Sequence, residues 1–130
     1  MIITNETDSM LMIVNYHYIR ERSKYPYAGI HPVEWQKFIK DVRLLSSRFH
    51  MATPEEVERF TYGDIDLPGP SVFLSFDDGL VDHATAAQDV LDPLGIKAVF
   101  SISSRPLIEE RALMVHKIHW LRATTPPDIF

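Results

Sequence analysis

Residues 71–80, SVFLSFDDGL, constrain this chain more than any other segment. A run of apolar and β-prone residues stops abruptly at Asp77, Asp78 and Gly79. The pattern reads as a buried strand that carries two carboxylates to its C-terminal tip. In parallel α/β sheets and barrels, that end of a strand is where polar groups converge over an apolar scaffold. A helix cap needs one acid, and a directly adjacent second one adds like-charge repulsion. Two neighbouring acids at this place point to a divalent cation, an acid/base pair, or both.

Strand and helix signals alternate on either side. Residues 11–18 (LMIVNYHY) are rich in β-branched and aromatic side chains and predict a first strand. A polar connection follows, and Pro32 stands where a first helical residue belongs, ahead of Trp35, Phe38, Ile39, Val42 and Leu45 at helical spacing. That stripe predicts a helix ending near Arg48, with Trp35 and Phe38 in the core rather than on a sugar-stacking surface. Thr53, Pro54 and Glu56 form a capping-box signature for a short helix. After the acidic turn, Ala84, Ala87, Val90, Leu91 and Leu94 predict a helical face that Gly95 ends, with an irregular last turn at Pro93. Residues 96–102 (IKAVFSI) predict a third strand, and residues 107–122 a final helix with Leu107, Met114, Ile118 and Leu121 on its apolar side. The expected class is α/β, with parallel strands joined by right-handed crossovers and 71–80 at the centre.

Composition narrows the chemistry. A chain of 130 residues with 45% hydrophobic content predicts one globular domain. Its formal charge of −5 and lack of a basic tract argue against nucleic acid as a partner. Cysteine is absent, so any metal must be held by oxygen and imidazole. The apolar residues 10–14 are too few to span a bilayer, and Glu6 and Asp8 precede them where a secretory signal carries bases. No export signal is read, and the location is left as cytoplasmic or undetermined.

Three segments in order, VFLSFDDGL, LDPLGIKAVFSI and the Tyr-His pair within residues 13–18, resemble the polysaccharide deacetylases, the NodB-homology group of carbohydrate esterase family four. The likeness runs from Leu11 to about Leu121. It implies a distorted (β/α) barrel and metal-assisted hydrolysis of an N-acetylated or O-acetylated carbohydrate. By that resemblance Asp77 matches the general base, and Asp78 the carboxylate that binds a divalent metal, usually zinc. Gly79 lets the backbone turn sharply beside them, and His17, near the end of the first strand, is placed for the same rim.

The departures matter as much. The family completes its metal site with a His-Ser/Thr-x-x-His motif, and here no histidine has another four residues on: those positions hold Glu21, Trp35, Pro54, Ala87, Trp120 and Ala123. His116 and His119, at i and i+3 on the last helix, are a weaker chelating pair. His83 reads as a surface residue, His31 and His50 as loop residues, and Arg20, Arg22 and Lys24 as solvated bases on the rim. Three strands are too few to close a barrel of this kind, so the chain, taken as one domain over residues 1–130, resembles the N-terminal half of a deacetylase. Weak zinc binding and little activity are the expectation for it alone, and a catalytically inactive carbohydrate-binding or interaction domain is the alternative. A nucleotide hydrolase would need a G-x-x-x-x-G-K loop, which is absent. The open third strand is expected to pair with a second copy, or to be covered by Met114, Ile118 and Leu121.

Overall fold

The computed structural model describes residues 2–4, 9–21 and 31–129. Strands β1 (Ile2–Thr4), β2 (Met10–Tyr16), β3 (Ile19–Arg20) and β4 (Val33–Glu34) precede helix α1 (Trp35–Arg48). Strand β5 (His50–Met51), helix α2 (Pro54–Thr61) and strand β6 (Ser71–Phe76) follow, then α3 (Val81–Ala86), β7 (Ala98–Phe100), α4 (Ser104–Glu109) and α5 (Met114–Thr124).

Strand β6 is the centre. Along one edge it pairs in parallel with all but the first residue of β2, from Leu11 opposite Ser71 to Tyr16 opposite Phe76. Its other edge is divided: β5 pairs with Ser71 and Val72, and β7 with Leu74, Ser75 and Phe76, both in parallel. The expected flanking of 71–80 by the first and third strands is therefore observed. Strand β1 adds an antiparallel edge to β2, while β3 and β4 form a separate two-stranded ladder. Among the described residues the sheet does not close, and the architecture is mixed α/β with a largely parallel open sheet, as an incomplete barrel would have.

Helix ends follow local chemistry. Glu34 caps α1, its carboxylate accepting from the amides of Gln36 and Lys37 at 2.9 and 3.1 Å. Pro32 thus lies outside the helix that was expected to begin with it. Phe38 and Val42 of the predicted stripe are fully buried. Helix α2 carries the complete capping box, with Thr53 Oγ1 accepting from the Glu56 amide and Glu56 accepting from the Thr53 amide. Beyond α3 the chain loosens into a π turn at Ala87–Leu91 and a 3-10 turn at Asp92–Leu94, as expected around Pro93, which lacks an amide hydrogen. Gly95, at φ 65°, closes it in the left-handed region.

Strand parity divides the core. Val72, Leu74 and Phe76 face one way, against Tyr16, Phe38, Val42, Val90 and Leu91. Phe73 faces the other way with Leu11, Ala52, Phe60 and Leu67.

Several expectations are corrected. His83 is buried, only 3% exposed; Val90 and Leu91 of the predicted face are buried as expected and Ala86 joins them, whereas Ala84 and Leu94 are exposed. The single final helix is two, α4 and α5, and the third strand is three residues long. The pairing of His50 with Ser71 and of Met51 with Val72 makes a strand where a loop was read; two residues are too few to show a strand pattern. The last helix does not cover the third strand: Val99, Phe100 and Ile102 stay exposed, as do Met114, Ile118 and Leu121. No helix among the described residues is long and apolar enough to cross a membrane.

The α2 cap makes a measurable contribution. Replacing Thr53 with Ala is expected to cost about 1 kcal/mol in urea unfolding at neutral pH. Hydrogen bonds from the Thr53 amide, and then His50, hold the Glu56 carboxyl below its ordinary value despite an opposing desolvation effect. A depressed carboxyl stabilises the fold above its unfolded pKa and loses that contribution as pH falls through the folded value. The deficit of Glu56→Gln relative to the unaltered chain is therefore expected to shrink between pH 7 and pH 3, and a deficit equal at both would contradict the assignment.

Candidate active site

Parity and register build the site at the C-terminal ends of β2 and β6. Asn15 stands opposite Ser75, and Asp77 follows two residues after Ser75 along the same face. Ser75 Oγ donates to Asn15 Oδ1 at 2.8 Å, and Asn15 Nδ2 donates to Asp77 Oδ2 at 2.7 Å. The Asp77 amide continues the ladder by donating to the Tyr16 carbonyl at 3.0 Å. One oxygen of the Asp77 carboxylate is therefore fixed by a side-chain chain that begins on the strand itself.

Asp78 breaks away from that direction. Its φ of 80° lies in the left-handed region, and Gly79 follows at 63°. A non-glycine residue held there is strained and persists only where its surroundings fix it. The turn points the second carboxylate at two imidazoles: Asp78 Oδ2 lies 3.2 Å from His17 Nδ1 and 3.3 Å from His116 Nε2. Asp78 and His116 are largely enclosed, while the His17 side chain is 53% exposed.

The surrounding shell holds these groups in place. The Tyr18 ring packs on both His116 and His119, with centroids 5.7 and 5.8 Å apart, and its hydroxyl lies 3.2 Å from His119 Nδ1. Burial and then the negative charge of Asp78 push the Tyr18 phenol above its ordinary pKa. Arg20 lies over the Tyr18 ring at 5.3 Å and donates to Asp82 at 2.7 Å, so it belongs to a strand and an ion pair rather than to a solvated loop. Arg22 and Lys24 fall outside the described residues. His83 Nε2 bonds the His17 carbonyl at 2.8 Å. Because a carbonyl only accepts, the hydrogen sits on Nε2, and buried Nδ1 has no partner among the described residues. His50 bonds both oxygens of Glu56 at the far end of the sheet. Beside Asp78 opens a cavity of about 400 Å³, lined also by His17, Tyr18, His31, Val115 and His119. That volume is within the range of small-ligand pockets. Asp77 stands outside its lining.

The fold thus brings Asp77, Asp78, Gly79 and His17 to one rim and adds His116, whose i, i+3 pair looked weak in sequence. Asn15, Ser75 and Tyr18 were not singled out. Asn15 carried a signal, as a polar residue inside an otherwise apolar strand, and Ser75 shares the parity of Asp77. Among the described residues no group of three or more histidine, aspartate or glutamate side chains is placed to hold a metal ion. Asp78 meets the two imidazoles as hydrogen-bond partners through one carboxylate oxygen.

Comparison with known proteins agrees with the fold. No family model matches the chain, and no curated protein does. Among solved structures, IcaB from Ammonifex degensii aligns at a TM-score of 0.61 and 28% identity, over 73% of this chain and 38% of that one. A de-N-acetylase from Aggregatibacter actinomycetemcomitans aligns at 0.52 and 19% identity, over 69% of this chain and 36% of that one. The chain therefore spans little more than a third of the length of these two proteins. The resemblance to the polysaccharide deacetylases holds in three dimensions over about 70% of the chain.

The acidic turn depends on Gly79. A Cβ there would stand 3.1 Å from Ile102 Cγ2, on a backbone at φ 63°. Gly79→Ala is expected to cost about 1–2 kcal/mol, the order of the left-handed penalty for a side chain. Thermal and urea unfolding measure it, and an unaltered midpoint would show that the turn relaxes without strain.

Proposed function

We propose that this chain supplies the base and the metal-facing carboxylate of a hydrolase that removes acetyl groups from N-acetylated carbohydrate. The observation that carries the reading is the division of two adjacent acids between separate partners. Asp77 is oriented by Asn15, and Asp78 is turned to His17 and His116. The similarity in fold to a de-N-acetylase supports the acyl group, and through the family resemblance the carbohydrate.

In this mechanism Asp78 would contribute one carboxylate to a divalent cation that the described residues do not hold by themselves, and such an ion would polarise an amide carbonyl and make bound water more acidic. Asp77 takes a proton from the water that attacks the acetyl carbon. Its hydrogen bond from Asn15 fixes the carboxylate plane, which positions the other oxygen for that transfer. Collapse breaks the carbon–nitrogen bond, and the proton held on Asp77 is the one the departing amine requires. Acetate and a free amino sugar result. The cavity beside Asp78, with the Tyr18 ring as one wall, would take the acetamido sugar, with Asp77 just outside its lining.

Acetate release from N-acetylated chito-oligosaccharides, with zinc supplied, tests the reading. Slow, metal-dependent turnover is expected, with a loss of about 100-fold or more in Asp77→Asn, because an amide does not accept the water's proton. Full activity in that variant would sink the assignment of the base. Binding of the oligosaccharide with no acetate release at any zinc concentration would replace the reading with that of a non-catalytic carbohydrate-binding domain.

A further inference from the structure

We infer that Ser75 is a positioning residue that sets the orientation of Asp77 through Asn15, an inference that rests on Asp77 acting as the base in the reading above. The three side chains form a directional relay. An ionised carboxylate only accepts, so Asn15 must turn Nδ2 toward Asp77, and it does so at 2.7 Å, the short end of the roughly 2.7–2.9 Å of a charge-assisted bond. Its Oδ1 is thereby turned away, and Ser75 Oγ meets that oxygen as a donor at 2.8 Å. An amide held at both ends keeps one rotamer and resists a flip. A bond donated to the amide oxygen also polarises the group, which strengthens the N–H that it offers to Asp77.

The placement of the two residues is the second observation. Asparagine is depleted in strands, yet Asn15 lies inside β2 between Val14 and Tyr16, with its side chain at the exposed rim. Ser75 is the one polar residue between Val72 and Phe76, and the single position of β6 that is not buried. Apolar or β-branched residues would suit both positions better as strand formers, and departures of this kind from a local rule concentrate at functional sites. The register that pairs Asn15 with Ser75 lets the hydroxyl reach the amide from the neighbouring strand. Because Asn15 is exposed, water competes for both ends of its amide, and a hydroxyl on the central strand is what holds the far end. Asn15 lines the cavity beside Asp78 and Ser75 does not, so loss of the Ser75 hydroxyl acts on the reaction more than on binding.

Hydrogen exchange at Asn15 Nδ2, followed by NMR, and acetate release from N-acetylated chito-oligosaccharides with zinc supplied test the inference. Ser75→Thr and Ser75→Val are nearly isosteric and both suit a strand, and they differ in the hydroxyl. In Ser75→Val the Asn15 side-chain amide is expected to exchange about fivefold faster or more, and kcat to fall about fivefold to twentyfold while KM changes by less than about twofold. Ser75→Thr is expected to recover most of both losses. Combining Ser75→Val with Asn15→Ala is expected to lower kcat no further than Asn15→Ala alone, because Ser75 acts only through the amide. Urea unfolding checks that each variant is folded, and Ser75→Ala repeats the comparison without added volume. Equal losses in Ser75→Thr and Ser75→Val, or losses that add in the double variant, would overturn the inference. Unaltered amide exchange in both Ser75→Val and Ser75→Ala would overturn it as well, and acetate release alongside that result would leave the proposed function standing. Faster exchange in both variants with no acetate release by the unaltered chain would uphold the hold of Ser75 on Asn15 and defeat the proposed function.

Discussion

The parallel register of β2 on β6 is the constraint on which the rest of the structure depends. It sets Asn15 beside Ser75 and carries Tyr16 to the residue before Asp77, so the Asp77 amide meets a carbonyl and its carboxylate meets an amide side chain. A slip of one residue would turn Asn15 to the opposite face. The apolar layers oppose that slip. Tyr16 and Phe76 stack at 5.5 Å, Phe38 packs edge-on to Tyr16 at 5.1 Å, and Leu11 lies with Phe73 on the other side. Moving the strand would place Asn15 among these groups without a partner, at a desolvation penalty of about 1–3 kcal/mol. The core that holds the sheet together thus also aims the polar groups at its edge.

Much of this frame was legible in sequence because its signals are local. The stripe of α1, the capping box of α2, the left-handed stop at Gly95 and the continuous apolar run of β6 each depend on residues close together in the chain. Burial of Phe38 and Val42, the bond between Thr53 and Glu56, and the parallel flanking of β6 follow from them. The two acids also stand where the strand pattern put them.

What was not legible depends on residues far apart. His83 follows an acidic turn at the start of a helix, a place that is normally solvated, yet it reaches back to the His17 carbonyl and is sealed by Phe76 and Phe100. Nothing within ten residues of it announces that contact. The bond from Asn15 to Asp77 spans 62 positions, and that from His116 to Asp78 spans 38. The final helix was misread for a different reason. Its apolar residues do recur at helical spacing, but so do His116, His119 and Ala123, and a rule based on hydrophobicity chose the former as the inner face.

That inversion ties the site to the open side of the molecule. A helix that presents histidine inward and aliphatic residues outward gains little from burial, so its position depends on aromatic and polar contacts, chiefly those of Tyr18. Tyr18 is in turn held by Arg20, and Arg20 by Asp82 in the first turn of α3. The path from the acidic turn through α3, Asp82, Arg20 and Tyr18 to His116 therefore returns to Asp78. Each link is a directional contact rather than a packed apolar layer, and contacts of this kind depend more on exact placement than apolar packing does. Asp77 has the opposite support, a rigid central strand and a neighbour fixed by register. The two adjacent carboxylates thus differ in how firmly they are held as well as in what they face: the one suited to proton transfer is fixed by the sheet, and the one turned to the imidazoles sits in the more adjustable shell.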